Sequence, residues 1–341
     1  MTEQSSALPC MIIKFSVMLK FITGYNQKYS LAILFFLLSY AQLSAQTDAD
    51  AVMMTKNNFC TGFMYNSSQW TNYWEGTLKR NNENLGTVST QMYGVMGNYG
   101  VSDKLNLLFG IPYVQTKASE GTLHGMKGLQ DLSLWVKWNP IETKLGKGTV
   151  SVYGVGGVSF PTTNYVADFL PLSIGLRGTN LSLRGIVDYQ VGNFFATASG
   201  TYVVRSRIKI DRDAYYTTEL HNTNEVSMPD ASNYQLRTGY RSSRMILEAV
   251  LNNWTTLGGF DITRNNMPFP SNKMNATTVG VNIKYNVKAI EGLALIGGGN
   301  ITIAGRNVGQ ATSFNGGMFY VFDFSHKAKK ETSLNTPAKA K

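Results

Sequence analysis

The stretch LNLLFGIPYVQ (105–115) places Leu105, Leu107, Phe109, Ile111 and Tyr113 on one side of an extended chain. A period of two sustained over this length is a strand signal, and a helical period of 3.6 does not fit it. The stretch LQDLSLWVKW (129–138) repeats the arrangement, with Leu132, Leu134, Val136 and Trp138 on one face and Asp131, Ser133, Trp135 and Lys137 on the other. TQMYGVMGNYGV (90–101) does so again through Tyr93, Val95, Gly97, Tyr99 and Val101.

From Asn58 onward the same unit recurs, an alternating segment of about nine to eleven residues followed by a polar break. Twelve such segments can be drawn. The first, FCTGFMYNS, and TVSVYGVGGVSF (149–160) are the least regular. The breaks alternate in length. Ser102–Lys104, Gln190–Asn193 and Arg241–Arg244 are short, whereas Lys117–Lys127, Thr162–Thr179, Arg205–Asp230 and Thr255–Met274 are long. Short turns at one end and long loops at the other are the pattern of an antiparallel up-and-down transmembrane β-barrel, with the long loops outside the cell. The expected fold is all-β, such a barrel of about twelve strands in the outer membrane of a Gram-negative cell.

Composition agrees. Charged residues make up 15% of the chain, against roughly 25% in soluble domains, and aromatics reach 12%. After the leader, no segment approaches the ~18 consecutive apolar residues that a spanning helix needs. The formal net charge of +10 does not form one patch: Lys327, Lys329, Lys330, Lys339 and Lys341 crowd the C-terminus and the rest are scattered. A nucleic-acid partner is therefore not expected.

Four regions are expected. Residues 1–45 form a leader whose apolar run LAILFFLLSY (31–40), preceded by Lys28 and followed by Leu43-Ser44-Ala45, reads as a cleavable signal peptide that leaves Gln46 first. Translation starting at Met18 would give it a more usual length. Residues 46–57 read as a short periplasmic segment, 58–324 as the barrel, and 325–341 as a disordered basic periplasmic tail. The last strand ends FYVFDF (319–324), which resembles the signal read by barrel-assembly machinery and also suits an aromatic interface belt. Cys10 falls in the leader, so Cys60 is the one thiol of the mature chain, expected as a buried or lipid-facing small residue.

If the apolar set of each strand faces lipid, the alternate set faces the lumen. The lumen-lining candidates are Asp131, Lys137, Arg184, Asp188, Arg237, Glu248, Lys284 and Asp323, four acids and four bases. They suit either a charged solute path or a ladder of ion pairs filling the interior, because twelve strands fall between packed and open barrels. The glycine clusters Gly154–Gly157, Gly297–Gly299 and Gly316–Gly317 suggest bends, bulges or close backbone approach, or else room for a ligand or a lateral opening.

The stretch GLQDLSLWVKW (128–138) resembles the Gly-x-x-Asp, alternation, then Lys pattern of the phenol-degradation (MetA-pathway) type outer-membrane transporters. That resemblance implies a carrier or channel for small, hydrophobic or aromatic solutes, with Asp131 and Lys137 at the matching positions. An outer-membrane hydrolase is the weaker reading. His124 and His221 lie in long loops without a His-x-Ser spacing, although His221 has Asp211, Asp213, Glu219 and Glu225 near it in sequence. No catalytic group, metal ligand set or cofactor is expected, and the partners are lipid, the assembly machinery and a small solute. An adhesin-like barrel acting through its external loops, such as Arg205–Asp230 with Tyr215 and Tyr216, is the competing non-enzymatic reading.

Overall fold

A computed structural model describes residues 47–264 and 266–325. The leader, the proposed cleavage site and the basic tail beyond Ser325 lie outside the described residues.

Twelve long strands close into one antiparallel barrel. In chain order they are β1 (Asn58–Trp70), β2 (Val88–Ser102), β3 (Leu105–Ala118), β4 (Asp131–Leu145), β5 (Gly148–Pro161) and β6 (Asn180–Val191). They continue with β7 (Phe194–Arg205), β8 (Ala231–Arg241), β9 (Met245–Thr256), β10 (Asn275–Asn286), β11 (Leu293–Arg306) and β12 (Thr312–Asp323). Each pairs with its neighbour in sequence, and β1 pairs with β12 from Asn58↔Asp323 to Gln69↔Thr312, so no edge is left open. At 11 to 15 residues the strands outrun the nine to eleven residues read from the sequence. Polar residues at the strand ends prolong the ladders beyond the apolar belt, as Glu142–Lys144 do at the periplasmic end of β4, and hydropathy alternation does not register them.

The two faces separate as alternation requires. Leu107, Val136, Trp138, Leu183, Val187, Leu236, Leu251, Val281 and Phe314 are exposed on the outside, where lipid would cover them. The aromatic end of the chain divides between the faces. Tyr320 and Phe322 point outward in an edge-to-face pair 4.8 Å apart, while Phe319 and Val321 are buried with Cys60 and Met54. Cys60 is thus inward and buried, not lipid-facing.

Register shifts fall at Gly100/Ser102, Trp138/Ile141 and Thr277/Thr278. Gly297–Gly299 and Gly316–Gly317 lie in unbroken stretches of ladder, with Gly297 opposite Gly316, whereas Gly154, opposite Trp138, borders the shift on β5. Gly157 serves close packing: a Cβ there would sit 2.4 Å from the Trp135 ring. The β3–β4 ladder is interrupted instead at Pro112, which has no N–H to give.

The connections at the end that holds both Asn58 and Asp323 run to six residues at most, and those at the other end are long, except for 307–311 between β11 and β12. Among the long loops, 162–179 folds into the external mouth. Thr116 donates to the Leu172 carbonyl at 2.6 Å, and Ile174 packs on Val114 and Met92. Loop 206–230 joins it through Arg212–Asp168 at 2.6 Å and a buried group that includes Ile208, Val226 and Met228.

A charge placed on the outer face tests the inside-out assignment. Val187→Arg should destabilise the folded barrel in lipid by about 2–4 kcal/mol if Val187 lies near the bilayer midplane, measured by chemical denaturation in vesicles. Ser182→Arg, one step out of phase on the same strand, should cost clearly less.

Candidate functional site in the barrel lumen

Lys137 stands on β4 between the outward Val136 and Trp138, so its side chain must enter the lumen. Its ammonium is 0% exposed. What covers it is the chain itself. The Nζ donates to the Thr47 carbonyl at 3.1 Å, the Asp50 carbonyl at 2.6 Å, the Asp50 carboxylate at 2.9 Å and the Val52 carbonyl at 2.9 Å. Residues 46–57, read from sequence as a short periplasmic segment, thus have Thr47–Met54 lodged among lumen-facing side chains.

Other wall residues complete the seat. Arg184 on β6 reaches Asp48 at 2.7 Å while its Nε donates to Thr201 at 2.7 Å. Tyr153 on β5 donates to the Ala51 carbonyl at 3.1 Å, and its ring centre is 5.6 Å from the Lys137 ammonium. Asn106, fully buried on β3, accepts from the Met54 N–H at 2.6 Å and donates to its carbonyl at 3.1 Å when the amide is turned to satisfy both groups. Where the segment leaves the lumen, the Asn57 N–H donates to the Gly100 carbonyl at 2.8 Å. Gly100 allows that passage, because a Cβ would lie 2.1 Å from the Thr55 carbonyl oxygen.

The remaining lumen charges surround this segment. Asp188 receives Arg241 at 2.9 Å and the Thr197 hydroxyl, and the Arg241 guanidinium lies 4.0 Å from the Phe195 ring centre. Glu248 holds Arg237 at 2.9 Å and the Asn282 amide at 2.9 Å. Lys284 is buried, in the field of Asp50 and Glu248. Six of the sequence candidates (Lys137, Arg184, Asp188, Arg237, Glu248 and Lys284) therefore belong to the wall around and just below the segment. Asp131 lies apart, at the external mouth, where it accepts from Tyr165 of loop 162–179 at 2.6 Å. Burial, and then the Asp131 carboxylate, raise the Tyr165 phenol far above its ordinary range. Asp323 sits at the exposed periplasmic rim and accepts from the Ser325 N–H at 2.8 Å.

Burial pushes the Asp50 carboxyl up. The Lys137 charge and hydrogen bond, the Thr47 N–H and the field of Lys284 outweigh it and hold the carboxyl below the usual range.

One space lies toward the external mouth, and two are lined in part by the segment. Above it, about 340 Å³ is lined by Asp131, Trp135, Leu176, Arg205 and Trp254 among others. Beside it, about 220 Å³ lies between Asp50 and the Arg237, Glu248, Asn282 and Lys284 wall. Below it, about 560 Å³ opens past Tyr153, Asp188 and Arg241 to Lys144 and Lys147 at the rim.

His221 stacks on Tyr215 at 4.7 Å and bonds to Thr217 at 2.9 Å within a loop hairpin. Among the described residues no group of three His, Cys, Asp or Glu could hold a metal.

No family model matches the sequence, and no curated protein matches it either.

Seating should depend on the ion pair. Removing one partner of a buried pair costs about 3–5 kcal/mol, so Lys137→Met should expose residues 47–56 to proteolysis in an otherwise heat-resistant barrel. Acid should act the same way. With Asp50 lowered in the seated state, the seat is complete above the free-carboxyl pKa of about 3.9 and is lost as pH falls through the depressed value. Protection of the segment should stay constant from pH 7 to pH 5 and fail only in stronger acid.

The barrel does resemble solved structures: an outer membrane channel from Pseudomonas putida F1, at TM-score 0.65 and 15% identity over 82% of this chain and 100% of that one, and the translocator domain of the autotransporter NalP from Neisseria meningitidis, at TM-score 0.43 and 12% identity over 78% and 88%. The first of these shows that the chain has the fold of an outer-membrane β-barrel.

Proposed function

We propose that the chain is an outer-membrane channel for small solutes, closed in its resting state by its own N-terminal segment. The observation that carries this reading is the Thr47–Met54 segment held across a charged lumen by Lys137 and Arg184. An interior needed only for stability could be filled by wall side chains. This one has cavities above and below a piece of chain that no strand ladder ties to the wall, which is the arrangement of a stopper.

The structural likeness to a Pseudomonas putida outer membrane channel supports the same reading. The upper cavity suits a small solute with an apolar or aromatic body, since Trp135, Trp254, Val203 and Leu176 share it with Asp131 and Arg205. The solute would enter past loop 162–179 and reach the segment from above. The aromatic end of β12 remains the proposed signal to the assembly machinery.

Deleting residues 47–53 from the mature chain should turn a silent or rarely opening barrel into one with stable conductance steps in a planar bilayer. A deletion variant that folds, as judged by faster migration of unboiled than boiled protein, and stays silent would overturn the channel reading.

A further inference from the structure

The described wall side chains that surround Thr47–Met54 are unbalanced in charge. Lys137, Arg184, Arg237, Arg241 and Lys284 are cationic, and only Asp188 and Glu248 are acidic. Asp188 and Glu248 are bound to Arg241 and Arg237 within the wall. The acids that face Lys137 and Arg184 come from the inserted segment: Asp50 at 2.9 Å and Asp48 at 2.7 Å. At the periplasmic side, Lys144 and Lys147 face Glu142 around the lower opening and keep the same sign.

Withdrawal of the segment therefore removes two carboxylates together and leaves a wall with three more positive than negative groups. It also uncovers an ammonium and a guanidinium whose present partners are carboxylates. A guanidinium and an ammonium in a narrow lumen bind carboxylates more strongly than they would in open water, because the low-dielectric walls strengthen the attraction.

We propose that this wall is a binding site for small organic anions bearing carboxylates, and that Asp48 and Asp50 are its built-in competitor. A solute carboxylate takes the place of Asp50 on Lys137 or of Asp48 on Arg184, so binding of the solute and departure of the segment are one event. This deepens the channel reading and rests on it. It also joins the two levels of the lumen: an apolar body fits between Trp135 and Trp254 above, and an acidic group fits the cationic wall below.

The test uses the refolded mature chain and an Asp48→Asn/Asp50→Asn variant in planar bilayers under a potassium chloride gradient, with succinate as the probe anion. The amides keep the size and the backbone carbonyls of the segment but remove its charge. The variant should open many-fold more often than the parent, with a reversal potential displaced toward that of chloride. Succinate should block its chloride current at several-fold lower concentration than in the parent, and adding Arg184→Gln should abolish most of that block.

A variant that conducts without anion preference, or whose current succinate leaves unchanged, would overturn the anion site. The 47–53 deletion separates this from the parent reading. A conducting but unselective deletion variant contradicts only the anion site, whereas a folded and silent one contradicts both.

Discussion

An ammonium withdrawn from water must find oxygens to replace its hydration, or its burial costs several kcal/mol. Lys137 meets that demand with oxygens from Thr47, Asp50 and Val52, none of them part of the barrel wall. This constraint organises the lumen. The segment enters because its carbonyls and carboxylates solvate the wall cations, and the wall cations tolerate burial because the segment is there. Tyr153, Asn106 and Arg184 fix the same short stretch from β5, β3 and β6. The carbonyls of Thr47, Asp50, Ala51, Val52 and Met54 thereby find donors without regular secondary structure, as buried groups require.

Most of the barrel was legible in the sequence because a membrane wall leaves alternation little freedom. An outward charge near the midplane is penalised by about 2–4 kcal/mol, so parity alone assigns Lys137, Arg184, Arg237, Glu248 and Lys284 to the inside. The irregular segments at 59–67 and 149–160 are strands too. Their inner faces carry Met64 or Tyr153 and Val155, apolar residues that blur the alternation but pack inside the lumen. Arg241 belongs to the same inward series as Gln235, Arg237 and Gly239, and was hidden because it adjoins a polar turn.

The stopper was not legible. Thr47–Val52 reads TDADAV, too short for a period and without an apolar face of its own. What specifies its place is complementarity to cations that lie 87 and 136 residues away in the chain. The inward fold of loop 162–179 is hidden for a similar reason, since its anchors, Thr116, Val114 and Asp131, come from other strands. The glycine clusters were legible in part: Gly154 borders a register shift, and at Gly157, Gly298 and Gly317 a Cβ would run into a neighbouring strand or ring.

The direct measure of the account is the accessibility of the Lys137 ammonium in the intact barrel. With the mature protein in native outer-membrane vesicles, a small amine-reactive reagent followed by peptide mass spectrometry would compare Lys137 with Lys144 and Lys147 at the exposed periplasmic rim. Strong protection of Lys137, lost when residues 47–53 are absent, is the predicted result. Labelling of Lys137 as fast as that of Lys144 in the intact chain would mean that the segment does not occupy the lumen, and would contradict the account at its centre.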